Sequence, residues 1–362
     1  MGILINESNV IKNTKLIEMK ISGSNGDIKN VISVYSNINS PELKTTLVWK
    51  SDHIEEKYGG YSVLTGYNTS VNYSKYFEKD NFSVLGNISL GGTIGKTTFI
   101  KKIDNYIFMN VGGTVFRSSD GGKTFTTVLS INNSFADTMS IASGNNTIII
   151  EYNDSNNGNI IYYSKNMGTT WTYKKIYNVN IFGNVIFGNG KFIYYSSYTG
   201  STYRGIYHLS DDGINWTEHN ISTTFSPWWI GFGNNTYVGV GGLNGTNTPI
   251  CCYSVDGINW VVSSTNSFTS SSIFIGYING KYYAVNDDLS KVFYSNDGKS
   301  WSNTSMTISP KPTKILDISY SKENNKFYLV SSDKIYSSND AITWTGVFNL
   351  PQTFTNSKLF IY

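Results

Sequence analysis

Cysteine, charge and long apolar runs are all scarce in this sequence of 362 residues. The two cysteines are neighbours, Cys251 and Cys252. Adjacent cysteines rarely meet disulfide geometry, and on a strand their side chains point to opposite faces. Both read as reduced packing residues, so oxidative folding is not implied. Charged residues make up 15% of the chain, and the formal net charge is +3. No basic run interleaves with aromatics, which argues against nucleic acid as a partner. Lys101-Lys102 and Lys174-Lys175 read as solvated strand ends. No apolar run reaches the roughly 18 residues a membrane-spanning helix needs, so membrane insertion is not expected. The opening MGILINESNV has no basic region followed by an apolar stretch. The expectation is a chain made in the cytoplasm without a signal peptide, which reaches the outside, if at all, by lysis or within a particle.

Polarity comes instead from Asn, Ser, Thr and Gly, and the apolar content is rich in Tyr, Phe, Ile and Val. Such residues suit pleated, half-buried surfaces joined by polar turns, which points to an all-β protein. One hairpin recurs along it. The copies are SSDGGKTF (Ser118 to Phe125), SKNMGTTW (Ser164 to Trp171), LSDDGINW (Leu209 to Trp216), YSVDGINW (Tyr253 to Trp260), YSNDGKSW (Tyr294 to Trp301) and SSNDAITW (Ser337 to Trp344). The closing aromatics are spaced by 46, 45, 44, 41 and 43 residues. That period is the length of one four-stranded propeller blade. Between the hairpins lie apolar runs such as TIIIEY (Thr147 to Tyr152) and GKFIYY (Gly190 to Tyr195), continuous as in strands covered on both faces. Asn/Gly turns such as FGNG (Phe187 to Gly190) and INGK (Ile278 to Lys281) read as tight hairpin links.

The six copies resemble the Asp-box, or bacterial neuraminidase repeat, of sialidase-like propellers. The match spans roughly residues 95 to 350 and implies a β-propeller. Aligned on the aromatic, the Asp position holds Asn166, Asn296, Asn339 or Val255 in four copies, and the last copy has Ala341 in place of Gly. The expected turn residues are Asp120, Asn166, Asp211, Asp256, Asp297 and Asp340, accepting loop N–H bonds. The aromatics expected to pack between sheets are Phe125, Trp171, Trp216, Trp260, Trp301 and Trp344. Carboxylates so freely exchanged read as turn-formers, not as catalysts or calcium ligands.

The expected fold is a single all-β propeller of four-stranded blades, with seven favoured and six or eight possible. A seventh blade would draw on Thr46 to Trp49, Tyr61 to Leu64 and Phe82 to Leu85. Phe82 lies 43 residues before Phe125. The C-terminal SKLFIY (Ser357 to Tyr362) would close the ring and hide its edges. Residues 1–44 do not fit the period and read as an N-terminal hairpin for attachment, leaving 45–362 as the propeller.

The resemblance raises sialidase chemistry, which in that family uses a three-arginine clamp on the substrate carboxylate. This chain has two arginines, Arg117 and Arg204, and no F/Y-R-I-P motif, so that clamp cannot be built. The acidic pairs Glu55-Glu56 and Asp287-Asp288 are sequence neighbours, a poor arrangement for two opposed carboxylates. His53, His208 and His219 show no metal-ligand spacing, no G-x-S-x-G elbow occurs, and GGTIGKTT (Gly91 to Thr98) lacks the first glycine of a phosphate loop. No catalytic residue, metal or cofactor is expected.

In propellers of this kind ligands bind at the channel mouth, on the face opposite the repeated hairpins. The loops expected there are rich in Tyr, Asn and Gly, and aromatics stack on sugar rings while amides and carboxylates bond hydroxyls. Tyr198, Tyr203, Arg204, Trp228, Asn286, Asp287 and Asp288 form the candidate set. The expected function is non-enzymatic recognition of a bacterial cell-surface glycan by a tail or baseplate protein of a phage or phage-derived particle. Residues 1–44 would contact other tail or baseplate proteins of the virion. The alternatives are a structural scaffold of such a particle and a glycan-degrading hydrolase with an unrecognised carboxylate pair.

Overall fold

The computed structural model describes residues 15–21, 30–35, 43–49, 54–57, 62–68, 71–77, 82, 84–91, 93, 95–131, 139–154, 158–177, 182–197, 205–220, 225–243, 249–263, 268, 272–286, 288–312, 314–322 and 324–360. The chain divides into two units, Met1–Tyr61 and Ser62–Tyr362. In the first, strands Lys15–Ile21, Asn30–Tyr35, Leu43–Trp49 and Ile54–Lys57 form a four-stranded antiparallel meander. The boundary expected at 44/45 therefore falls at 61/62. Leu43–Trp49 pairs with its two neighbours in this sheet and is no part of the ring.

The second unit is a seven-bladed β-propeller. Blade 1 combines the C-terminal strand Asn356–Phe360 with Ser62–Asn68, Val71–Phe77 and Val84–Asn87. Blades 2 to 6 are consecutive four-stranded meanders starting at Ile100, Ser140, Phe182, Phe225 and Ser272. Blade 7 starts at Ile315 and carries an added outer strand, Thr307–Ser309, parallel to Thr343–Asn349. Closure is the expected one: Asn356–Phe360 pairs antiparallel with Ser62–Asn68, from Asn356↔Tyr67 to Phe360↔Val63. The Ser357 hydroxyl donates to the Thr65 carbonyl at 2.6 Å inside this contact.

The second strand of each blade explains its apolar sequence, because both its faces are covered. In blade 3, Ile148, Ile149, Ile150, Glu151 and Tyr152 are all buried. Among the described residues the hydrophobic core divides into seven clusters, one for each interface between neighbouring blades. Each repeat aromatic enters the cluster shared with the preceding blade. Trp301 lies between blades 5 and 6, and Trp344 between blades 6 and 7. Phe82 takes the same place for blade 1, against Tyr328 and Phe348 of blade 7.

In blades 3 to 6 the first two strands turn on residue pairs at positive φ, such as Asn189 (45°) with Gly190 (72°) and Asn279 (49°) with Gly280 (80°). Asn tolerates this conformation and supplies a side-chain amide as well. Asn145 Nδ2 donates to the carbonyls of Gly190 (2.8 Å) and Asp211 (2.7 Å) in the next blade. Asn189 repeats the contact one blade on, donating to Asn235 and Val255. The abundance of Asn thus reflects latches between blades as well as turns.

The repeated hairpins link the third and fourth strands, and their fixed point is serine. In every copy a Ser hydroxyl bonds a carboxylate or amide two residues later: Ser118–Asp120, Ser164–Asn166, Ser210–Asp212, Ser254–Asp256, Ser295–Asp297 and Ser338–Asp340. The turn acceptor of the third copy is therefore Asp212. Asp211, expected in that role, offers its backbone carbonyl to Asn145 and its carboxylate to Lys191 at 2.6 Å. Nor is the carboxylate exchanged for Val255, Asn296 or Asn339. The loop from acceptor to aromatic is one residue shorter in blades 4 to 7, which displaces an alignment made on the aromatic. Partial desolvation works against ionisation of Asp212. Backbone N–H bonds from Asn215 and Ile214, with the Asn215 and Ser210 side chains, outweigh it and hold the carboxyl at about 2. Asp256 is held at about 2 by the equivalent groups.

Candidate functional site: the central channel

The inner strands of the blades surround a channel, and a cavity of about 320 Å³ opens within it. Its walls come from the inner strands of blades 2, 3, 4, 5, 7 and 1 and the residues leading into them. Among the described residues three charged side chains face it: Lys101, Asp317 and Lys358. Asp317 and Lys358 pair at 2.7 Å, and Asp317 Oδ2 also accepts the Leu359 N–H at 3.0 Å. Asp317 is thus committed to the joint between blades 7 and 1. Lys101 reaches solvent inside the channel, and its ammonium donates to the Ile141 carbonyl only at 3.5 Å. Desolvation by the surrounding walls lowers its pKa.

Uncharged groups complete the lining. Trp229 remains 41% exposed although it sits in the inner strand of blade 5. A register shift between Pro227 and Trp229 marks a bulge at this point, and bulges re-aim side chains. Asn184, Ser140, Ser319 and Tyr195 add amide and hydroxyl groups. Ser319 Oγ is buried and has no hydrogen-bond partner among the described residues.

Behind the wall two second-strand residues hold the inner strands in place. Asn110, fully buried in blade 2, accepts the N–H groups of Thr98 (2.9 Å) and Phe99 (3.0 Å) through its Oδ1. Glu151 occupies the same place in blade 3, five residues after the Asn145-Asn146 turn, and is also fully buried. Its carboxyl receives Asn159 Nδ2 at 3.0 Å and the Ser140 hydroxyl at 3.3 Å, and bonds Tyr194. Ser140 in turn accepts the Val185 N–H of blade 4 at 3.0 Å. Burial dominates the three hydrogen bonds and raises the Glu151 pKa to about 8, so the group is a neutral acid at pH 7. His208 is buried in blade 4 with Nε2 at 3.7 Å from Glu218 Oε2. Desolvation first, and then His219, lower its pKa to about 4, so it is neutral at pH 7 and that contact is no ion pair.

Few of the sequence candidates coincide with this site. Tyr198, Tyr203, Arg204 and Asp287 lie outside the described residues, as does the side chain of Trp228. Asn286 is not a free ligand group. Only 1% exposed, it accepts the N–H groups of Ser290 (3.1 Å) and Lys291 (2.7 Å) and donates to Ser290 Oγ, locking the loop between its strands. Asp288 is exposed and caps the same loop through the Ser290 N–H at 2.9 Å. Trp229 stood beside a named candidate in the sequence, whereas Lys101, Asp317 and Lys358 carried no local signal.

No family model matches the chain, and no curated protein matches it. Solved structures do. A catalytically inactive virginiamycin B lyase from Staphylococcus aureus, crystallised with quinupristin, aligns at a TM-score of 0.54 and 13% identity, over 71% of this chain and 86% of that one. A protein of unknown function from Desulfotomaculum acetoxidans aligns at 0.57 and 12% identity, over 84% and 99%. The likeness is one of β-propeller architecture. At these identities it shows the fold alone.

Proposed function

We propose that this protein is a non-enzymatic recognition propeller that binds a bacterial cell-surface glycan at the mouth of its channel. The observation that carries the reading is the exposed Trp229 ring in a cavity whose other walls include Asn184 and Ser319. An aromatic face beside several hydrogen-bonding groups is what a sugar ring and its hydroxyls require. The Tyr- and Asn-rich loops that include Tyr198, Tyr203, Arg204 and Asp287 would extend the contact along the chain of a polysaccharide. The absence of catalysis is part of the proposal and is supported by the commitment of Asp317 to Lys358 and the Leu359 N–H. The setting proposed is a phage tail, baseplate or phage-derived particle, in keeping with the Asp-box resemblance, with the first unit binding other tail proteins.

The test is a bacterial glycan array probed with the full chain and with Trp229→Ala. Retention on a restricted set of glycans is expected, weakened about tenfold or more by the substitution, since truncating an aromatic anchor of a binding site costs about 2 kcal/mol or more. Equal retention of both proteins would remove the channel from the account. No retention would favour the scaffold reading, which has its own observation. Val255, Ile258, Val261 and Val262 of blade 5 are 57, 42, 50 and 43% exposed, an apolar stretch of the rim.

A further inference from the structure

Resting on the glycan reading, we infer that the channel selects an anionic sugar residue, with Lys101 as its charge partner. Lys101 presents its ammonium to the channel, where solvent and therefore a dissolved anion can reach it. Among the described residues no carboxylate pairs with it, and its bond to the Ile141 carbonyl is long at 3.5 Å. The one carboxylate that lines the cavity among the described residues, Asp317, is already held by Lys358 at 2.7 Å and by the Leu359 N–H. Among the described residues the lining charges therefore sum to an excess of one positive, from two lysines against one aspartate.

Neighbouring groups give the direction of recognition. Ser319 Oγ, buried and without a partner among the described residues, lines the same cavity and can donate to an anion or a hydroxyl. Trp229 offers an apolar face. The volume of about 320 Å³ lies near the lower end of the roughly 300–1,000 Å³ typical of small-molecule sites, which suits a terminal or branching monosaccharide and not a buried polymer. The shared chemistry is an oxyanion on a sugar-sized body, and either a carboxylate or a phosphate provides it. Lysine is a point charge and does not enforce the planar geometry that separates the two.

The experiment is calorimetric titration of the full chain with glucuronate, glucose 6-phosphate and glucose. Glucuronate, glucose 6-phosphate or both should bind at least tenfold more tightly than glucose, in line with one charge-assisted hydrogen bond in a partly desolvated site. The arm that binds identifies the anion. Lys101→Met should abolish the preference while Lys101→Arg preserves most of it, with the unfolding temperature measured for each protein. Equal affinity for all three probes in the wild type, no binding of any, or a preference surviving in folded Lys101→Met would each overturn the inference. The glycan-array result separates this failure from that of the wider reading. Neutral glycans retained through Trp229 would leave recognition standing without the anion.

Discussion

Truncation after Thr355 is expected to prevent the ring from folding. The lost segment supplies the innermost strand of blade 1, and without it the strand Ser62–Asn68 becomes an open edge facing the channel. Leu359 is only 3% exposed and packs with Leu64, Val330 and Phe354. Removing a buried leucine side chain costs about 2–5 kcal/mol. The Ser357–Thr65 hydrogen bond contributes about 1 kcal/mol more, and the ladder and the Asp317–Lys358 pair are lost with it. Against a total stability on the order of 5–15 kcal/mol, this loss is decisive. An unpaired edge also invites aggregation. The check is thermal unfolding by circular dichroism with and without a synthetic peptide of residues 356–362. The truncated chain should lose its cooperative transition, and the peptide should restore part of it by adding the missing strand. A truncated protein with the melting profile of the full chain would show that closure contributes little.

Glu151 governs the second large effect, which depends on pH. Its folded pKa, about 8, lies above the ordinary carboxyl value of 4.5. Between these values the unfolded chain releases the proton while the folded chain retains it. The folded state then binds more protons, so stability falls as pH rises through this window and levels off above about 8. The loss is on the order of a few kcal/mol, because a tenfold difference in proton affinity between the folded and unfolded chain corresponds to about 1.4 kcal/mol. For a domain of this size the melting temperature should drop by about 5 °C or more from pH 5 to pH 9. Glu151→Gln keeps a neutral group able to accept from Asn159 and meet Ser140, and it should flatten that profile. A variant with the same slope as the wild type would assign the pH dependence to other groups. The consequence reaches the channel, since ionising Glu151 disturbs Ser140, which joins the inner strands of blades 3 and 4.

Much of the ring was legible because each blade repeats one physical requirement. Trp171, Trp216, Trp260, Trp301 and Trp344 recur at near-constant spacing since every interface between blades needs one large aromatic from the hairpin. Phe82 was legible on the same ground, without the rest of its hairpin pattern. The misplacement of the turn acceptor at Asp211 has a simple cause. Alignment on the aromatic assumes a constant loop, but the bonds are anchored at Ser210, two residues before Asp212. Leu43–Trp49 looked like a blade strand because its pattern suits any half-buried sheet, and only its pairing with Asn30–Tyr35 and Ile54–Lys57 assigns it elsewhere.

The channel was hardly legible at all. Lys101, Asn184, Trp229, Asp317 and Lys358 belong to five different blades and are brought together only by closure of the ring. Each stands alone in its own segment, so no local motif joins them. Asn286 misled for the opposite reason. A polar residue in a polar loop looks available for a ligand, yet the loop needs its amide to satisfy two backbone N–H groups.

The most direct test of recognition without cleavage is to incubate the full chain with purified cell-surface polysaccharide from a strain whose glycan it retains. Bound and free polymer are then compared by size-exclusion chromatography. Polymer recovered from the complex with unchanged length is the predicted result. Shortened polymer that accumulates with time would contradict it and make the channel an active site.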